Sequence, residues 1–196
     1  IARAKELGMT VIVTDHHDIL TEDSETPEGR EMLPPADAVV NPKRRDSLYP
    51  FPDICGGMVA YKLVQVLYEV HKIPGEEWLG LLEIAAIATV GDVMKLQGEN
   101  RIIVKEGLSR LEHTSNLGLR KLIEKNNLQA GNITAYHIGF VIGPCLNASG
   151  RLQTAKIALG LLLCEDEPAA DRMAEELKAL NDQRKDMTQE GIEQAA

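Results

Sequence analysis

The sequence lacks several features that assign a protein to a class at sight. No apolar run reaches the roughly 18 residues that a membrane-spanning helix requires, and no signal peptide is visible. The three cysteines, Cys55, Cys145 and Cys164, are odd in number and widely spaced, which excludes a disulfide framework. No Cys-x-x-Cys pair supports a zinc site, and no internal repeat occurs. We therefore expect a globular protein of the reducing cytoplasm without a membrane partner.

The net charge of −9 is concentrated in two segments of the 196 residues. Residues 18–37 hold seven acids and one base, and residues 165–196 hold ten acids and four bases. The rest of the chain therefore carries about +3. An acidic total of this kind does not exclude a local site for phosphate.

Strands are expected first and helices afterwards, which predicts an α/β unit with a parallel sheet followed by a helical subdomain. The apolar centre of residues 10–14 is typical of a parallel strand that is covered on both faces. "ADAVVNP" predicts a second strand, and residues 56–70 predict a helix that is buried on most sides. Further helices are predicted at 100–112, 116–126 and 150–164, and from residue 168 onward.

The first strand ends in Asp15, His16 and His17, and this position predicts a site. Ligands of open parallel sheets bind outside the carboxyl ends of the strands. Because side chains alternate along a strand, one histidine could hold a metal while its neighbour faces a substrate, with the aspartate orienting an imidazole. The alternative is a surface loop that happens to contain two histidines.

Asp92 follows fourteen residues that carry a single charge, Glu83. We expect apolar surroundings, in which a carboxylate is paired, protonated or bound to a metal. The alternative is a helix-end aspartate in water. Together, His16 and Asp92 would suit manganese, magnesium or zinc better than copper.

"IGPCLNASGRLQTA", residues 142–155, predicts an anion site at a helix start. Asn147 and Ser149 are good N-cap residues, Gly150 adjoins them, and Arg151 would lie in the first turn. Free N–H groups, the helix dipole and a guanidinium would suit phosphate. The alternative is an ordinary capped helix with a solvated arginine.

The order of these motifs strongly resembles the DHH phosphoesterase superfamily, and within it the exonucleases that are specific for single-stranded DNA. The resemblance is carried by "VIVTDHH", "NPKRRDSLYPF", "CGGMVAYKLVQVL", "IAAIATVGDVMKL", "NRIIVKEGL" and "IGPCLNASGRL", and it covers nearly the whole chain. It implies 5′-to-3′ hydrolysis of single-stranded DNA by a two-metal mechanism in repair and recombination, with Mn²⁺ or Mg²⁺ as the ions. Repair proteins would be possible partners.

The resemblance also implies roles for individual residues. His16 and Asp92 would be metal ligands, Asp15 would orient the pair or help bind metal, and His17 would contact the scissile phosphate. The phosphate-binding segment would contain Asn147, Ser149, Gly150 and Arg151. The family usually has arginine where this chain has Cys145, so one phosphate contact would be lost or supplied elsewhere. The acidic segment after the histidines is also longer than is typical of the family.

The expected organisation is residues 1–95 as the C-terminal part of a DHH domain, 96–167 as a helical subdomain, and 168–196 as a connecting helix toward a further domain. The chain begins inside what reads as a helix, so we expect a piece of a longer protein, with the remaining metal ligands upstream of Ile1. The piece alone would then be a poor nuclease. The alternatives are an oligoribonuclease or cyclic-dinucleotide phosphodiesterase, a manganese pyrophosphatase, a non-catalytic DNA-binding scaffold, or a plain helical interaction module.

Overall fold

The fold is known from a computed structural model, which describes residues 1–22, 29–152 and 154–195, with backbone only for Ala130, Arg151 and Ala195. The described residues form two strands, β1 (Ile12–Thr14) and β2 (Ala38–Val40). They also form the helices α1 (Ala2–Glu6), α2 (Gly56–Val70), α3 (Leu82–Gly91), α4 (Gly98–Leu111), α5 (Leu117–Lys125), α6 (Ala135–His137), α7 (Gly143–Leu152), α8 (Lys156–Leu162) and α9 (Glu167–Ala195). Short 3₁₀ helices at Glu77–Leu81 and Ala130–Asn132 and a π-helix at Ile138–Ile142 complete the described elements.

The two strands pair in parallel, as predicted, with Val13 opposite Val39. The pairing continues past β1, where the Asp15 N–H donates to the Val40 carbonyl at 2.9 Å. The expectation that β1 is covered on both faces is wrong for the described residues, because Ile12 is 62% exposed. Helix α2 packs against the strand, and Val13 is half-buried.

Helix α2 has the predicted bounds, but only its first turns are buried. Met58, Val59 and Tyr61 are in the core, whereas Val66, Leu67 and Val70 of the second half are exposed, so the expected burial on most sides is wrong. The first turn lies very close to α3, since a Cβ on Gly57 would be 2.5 Å from the Ala88 Cβ. Glycine is required there because no side chain fits between the two helices.

Helix α3 has one buried cluster on each side, which explains its nearly uncharged sequence. Leu82 and Ala85 belong to a cluster with the start of α2 and with Ile103 of α4. Ile87 faces a larger cluster formed with α5, the π-helix and helices α7 to α9. Glu83 is the single buried charge of the helix, and its carboxylate accepts a hydrogen bond from Thr114 Oγ1 at 2.7 Å.

The later helices differ from the prediction in their breaks. The predicted helix 150–164 is wrong, because α7 ends at Leu152 and α8 begins at Lys156. The apolar seam of α9 is buried through Ala170, Leu177 and Leu180. The seam ends before Met187, which is exposed. Among the described helices, none combines the length and the apolar character needed to cross a membrane.

Candidate metal centre and adjoining cleft

The end of β1 turns the two histidines in different directions. The His16 side chain is 18% exposed and faces α2 and α3, whereas that of His17 is 77% exposed. Their ring centroids remain 4.4 Å apart. This is the arrangement that side-chain alternation allows, with one imidazole in the interior and its neighbour at the surface.

Asp15 holds the turn and orients His17. Its Oδ1 accepts hydrogen bonds from the backbone N–H of His16 at 2.7 Å and of His17 at 3.2 Å, and lies 2.7 Å from His17 Nδ1. The hydrogen bond with the His17 ring is the main reason that the pKa of Asp15 is lowered. Asp15 therefore orients the exposed imidazole of His17, and its Oδ2 remains available to bind a metal ion.

Asp92, the first residue after α3, comes to the same place. Its Oδ2 lies 3.5 Å from His16 Nε2, although its side chain is 44% exposed. Asp92 lies at a helix end and is partly exposed, so the expectation of apolar surroundings is wrong, whereas its assignment as a metal ligand stays a prediction. The reason for this exposure is that α3 ends at Gly91, so that Asp92 and Val93 both follow its last turn. Gly56 makes room for the site, since a Cβ on it would be 3.2 Å from His16 Cδ2.

The backbone after α3 is strained. Val93 has φ +56°, a conformation that is rare for a β-branched residue, and its N–H donates to the Val90 carbonyl at 3.0 Å. The carboxylate of Asp92 lies at the C-terminal end of α3, where the negative end of the helix dipole favours a cation and disfavours an anion. Local stability therefore does not explain Asp92 at this position, whereas a bound cation would.

The donor set fits a divalent metal ion. The ligand atoms of Asp15, His16 and His17 all lie within 4.8 Å of one another. Two ligands of one ion with bonds near 2.1 Å lie about 3 to 3.4 Å apart, close to the 3.5 Å between His16 and Asp92. A combination of imidazole and carboxylate suits manganese, magnesium and zinc.

A buried asparagine that we did not predict supports the turn. Asn41 is 6% exposed, and its Nδ2 donates to the His17 carbonyl at 3.0 Å, while its Oδ1 accepts from the Lys43 N–H at 2.9 Å. Lys43 Nζ in turn contacts Asp18 at 2.8 Å. The sequence signal is the Asn-Pro pair that directly follows the second strand.

The predicted phosphate-binding segment lies within a helix, so the predicted helix start at Asn147 and Ser149 is wrong. Helix α7 begins at Gly143 and continues the π-helix. Ser149 is buried, with its Oγ 3.5 Å from the Leu146 carbonyl, whereas Asn147 and Gly150 are exposed. The predicted contact of Arg151 lies outside the described side chains. The assignment of this segment to phosphate binding stays a prediction.

A cleft of about 210 Å³ lies at the end of α3, where Gly91 directly precedes Asp92 of the candidate metal centre. It is lined by Gly91, Gly139, Gly143, Pro144, Asn147 and Arg184. The π-helix brings Gly139 into this wall, and such helices are frequent at functional sites. Sequence reasoning missed Arg184, which lies in a long polar helix without a motif.

Cys145 does not face this cleft. The thiol is fully buried, and Asn126 Oδ1 and Asn181 Nδ2 each lie 3.6 Å from its sulfur. Burial raises the pKa of the Cys145 thiol. The side chain is therefore part of the core.

Comparison with known proteins assigns the chain to a family. Residues 1–89 match the model described as "DHH family, N-terminal domain". A protein of Bacillus subtilis (strain 168), named single-stranded-DNA-specific exonuclease RecJ, is 39% identical over 192 residues, which are 98% of this chain and 22% of that protein. Residues 1–89 of this chain belong to the DHH family. The fold class agrees with the one predicted from the motifs.

Solved structures of RecJ are similar to this DHH chain. A RecJ exonuclease bound to manganese matches 98% of this chain and 45% of its own length, with a TM-score of 0.80 at 35% identity. RecJ of Thermus thermophilus in complex with Mg²⁺ matches 80% of this chain and 24% of its own length, with a TM-score of 0.70 at 35% identity. The chain spans between 22% and 33% of the length of the curated relatives it matches.

Proposed function

We propose that this chain is part of a metal-dependent exonuclease that hydrolyses single-stranded DNA from the 5′ end, in repair or recombination. The observation that carries the proposal is the meeting of His16 Nε2 and Asp92 Oδ2 at 3.5 Å, from two elements far apart in the sequence. Similarity to RecJ over nearly the whole chain supports the substrate class. We expect the protein to act in the cytoplasm with repair proteins as partners.

His16 and Asp92 would hold a divalent ion, Mn²⁺ or Mg²⁺, and Asp15 Oδ2 could join them. We expect a second ion, with its remaining ligands outside these 196 residues. When bound, such ions activate water and offset charge on a phosphodiester. The chain itself supplies orientation: Gly56 leaves space for the His16 ring, and Asn41 ties the backbone after it.

His17 would contact the scissile phosphate. Asp15 engages its Nδ1, and the exposed ring leaves Nε2 as the nitrogen available to a substrate. An imidazole held in this way can donate a hydrogen bond to a phosphate oxygen when Nε2 carries a proton. Asn147, Gly150 and Arg151 would border the DNA backbone.

The decisive assay compares substrates and uses the full polypeptide that contains these residues. We expect Mn²⁺-dependent release of nucleotides from the 5′ end of a long single-stranded DNA, and little release from a duplex. His16→Ala and Asp92→Ala should each lower the rate roughly 100-fold, because each removes a metal ligand. His71→Ala is the matched control, since His71 is exposed at the end of α2.

Two outcomes would overturn the proposal. Faster cleavage of dinucleotides than of long DNA would favour an oligoribonuclease or a cyclic-dinucleotide phosphodiesterase. DNA binding without cleavage in the presence of Mn²⁺ would favour a non-catalytic scaffold.

A further inference from the structure

We propose that Arg184 and Asn147 form a phosphate subsite for the nucleic-acid backbone in the cleft beside the metal centre. The inference rests on the proposed function, because the metal centre supplies the reason for a nucleic acid to lie there. Arg184 belongs to α9, outside the segment that the family motif marks. Its contribution follows from the geometry of the cleft alone.

The guanidinium of Arg184 is held by a buried scaffold. Its Nε and Nη2 each donate to Asn181 Oδ1 at 3.2 Å, and Asn181 is only 1% exposed. Asn181 is itself anchored through its Nδ2 on the buried Cys145 sulfur at 3.6 Å. The side chain is half-buried and tied down on one edge, so a ligand would not have to order it first.

The charge of Arg184 is not neutralised within the described part of the chain. No carboxylate there lies within ion-pair distance of it, and its Nη1 has no acceptor. Two neighbouring bases of the same helix, Lys178 and Lys185, are paired, since both contact Asp182. A half-buried guanidinium without an acidic partner, on a helix rich in acids, is suited to an anion from outside the chain.

The other residues that line the cleft suit a phosphodiester. Gly91, Gly139 and Gly143 have no side chains to obstruct it, and no acid is among the described residues that line the cleft. The side chain of Asn147 is exposed and makes no hydrogen bond within the described residues, so its amide can donate to a phosphate oxygen. Because Gly91 directly precedes Asp92, a phosphate bound here would neighbour the one at the metal centre.

The test measures binding of a fluorescent single-stranded oligothymidine to the full polypeptide that contains these residues, by anisotropy over a range of salt concentrations. Arg184→Gln should weaken binding roughly five- to tenfold and lower the slope of log K against log salt by about 0.7, the value for one phosphate contact on a single strand. Asn147→Ala should weaken binding roughly two- to fivefold with an unchanged slope. Arg172→Gln is the matched control, because it removes the same charge from an exposed position of α9 about 18 Å along the helix.

Equal losses of DNA affinity in Arg184→Gln and Arg172→Gln would overturn the subsite, since only the overall charge of the protein would then affect binding. Thermal melting checks that each variant is folded. If the full polypeptide binds no DNA, the proposed function fails, and titration of the chain with inorganic phosphate tests the cleft independently. The NMR signal of Arg184 Nε–Hε, assigned from its loss in Arg184→Gln, should then shift with phosphate. An unmoved signal would overturn the subsite as well.

Discussion

Four of the described helices end in the same hydrogen-bonding pattern, but among them only α1 is followed by glycine at the left-handed position. After α1, Gly8 takes the left-handed conformation that this ending requires, with φ +76°. The corresponding residues after α2, α3 and α5 are Lys72, Val93 and Asn127, with φ of +52°, +56° and +54°. In each case the following N–H bonds back across the last turn, as from Met94 to the Thr89 carbonyl at 3.1 Å.

Val93→Gly is therefore predicted to stabilise the protein. A left-handed conformation costs an L-residue about 1–2 kcal/mol, and valine is among the least tolerant. Val93 is 87% exposed, so little packing is lost with its side chain. The greater freedom of glycine in the unfolded chain offsets about 0.5–1 kcal/mol. The expected net gain is about 0.5–1 kcal/mol, or about 1–4 °C in Tm for a chain of this length.

Thermal denaturation of matched variants measures this gain. The gain should fall from Val93→Gly to Lys72→Gly and then to Asn127→Gly, because asparagine tolerates the left-handed region best. Val66→Gly, inside α2, should instead lose about 1 kcal/mol or more. A lower Tm for Val93→Gly than for wild type would refute the reasoning.

Two further predictions concern the interior. Gly57→Ala should lower the free energy of unfolding by about 1–3 kcal/mol, because its Cβ would lie 2.5 Å from that of Ala88. Gly191→Ala on α9 should not lower it, because the added Cβ would meet no packed neighbour within 4 Å among the described residues. Equal Tm values for the two variants would contradict this prediction. Burial raises the pKa of Glu83 above its ordinary value of 4.5, so the folded state holds this proton more tightly than the unfolded state. The stability of the wild-type protein should therefore fall as pH rises from about 4.5 through the raised pKa of Glu83. Glu83→Gln keeps an acceptor for Thr114 but cannot titrate, so it should not show the decrease that Glu83 causes. Parallel curves of Tm against pH for the two proteins would contradict this prediction.

Much of the fold could be predicted because the spacing of apolar residues along the sequence indicates which face of a helix or strand is apolar. The bounds of α2 and the parallel pairing of the strands follow from such patterns. What the pattern could not show is which apolar surfaces find a partner within the chain, as the exposed second half of α2 demonstrates. Helix starts were the weakest point, because the cap-like residues Asn147 and Ser149 lie inside a helix that begins earlier.

The candidate site could likewise be predicted only in part. Asp15, His16 and His17 could be predicted from their place at a strand end, which is a local property of the chain. The contact between His16 and Asp92 was expected from motifs, whereas Asn41 and Arg184 were missed. Their roles depend on tertiary contacts, since Asn41 acts on the backbone of His17 and Arg184 reaches the cleft from a distant helix.

The most direct test of the central claim is isothermal titration of Mn²⁺ into the chain, with His16→Ala and Asp92→Ala and with the exposed His71→Ala as the control. The account predicts weak binding by wild type that is lost in both site variants and retained in His71→Ala, because His16 and Asp92 share one ion. Binding that survives the loss of either ligand would contradict it.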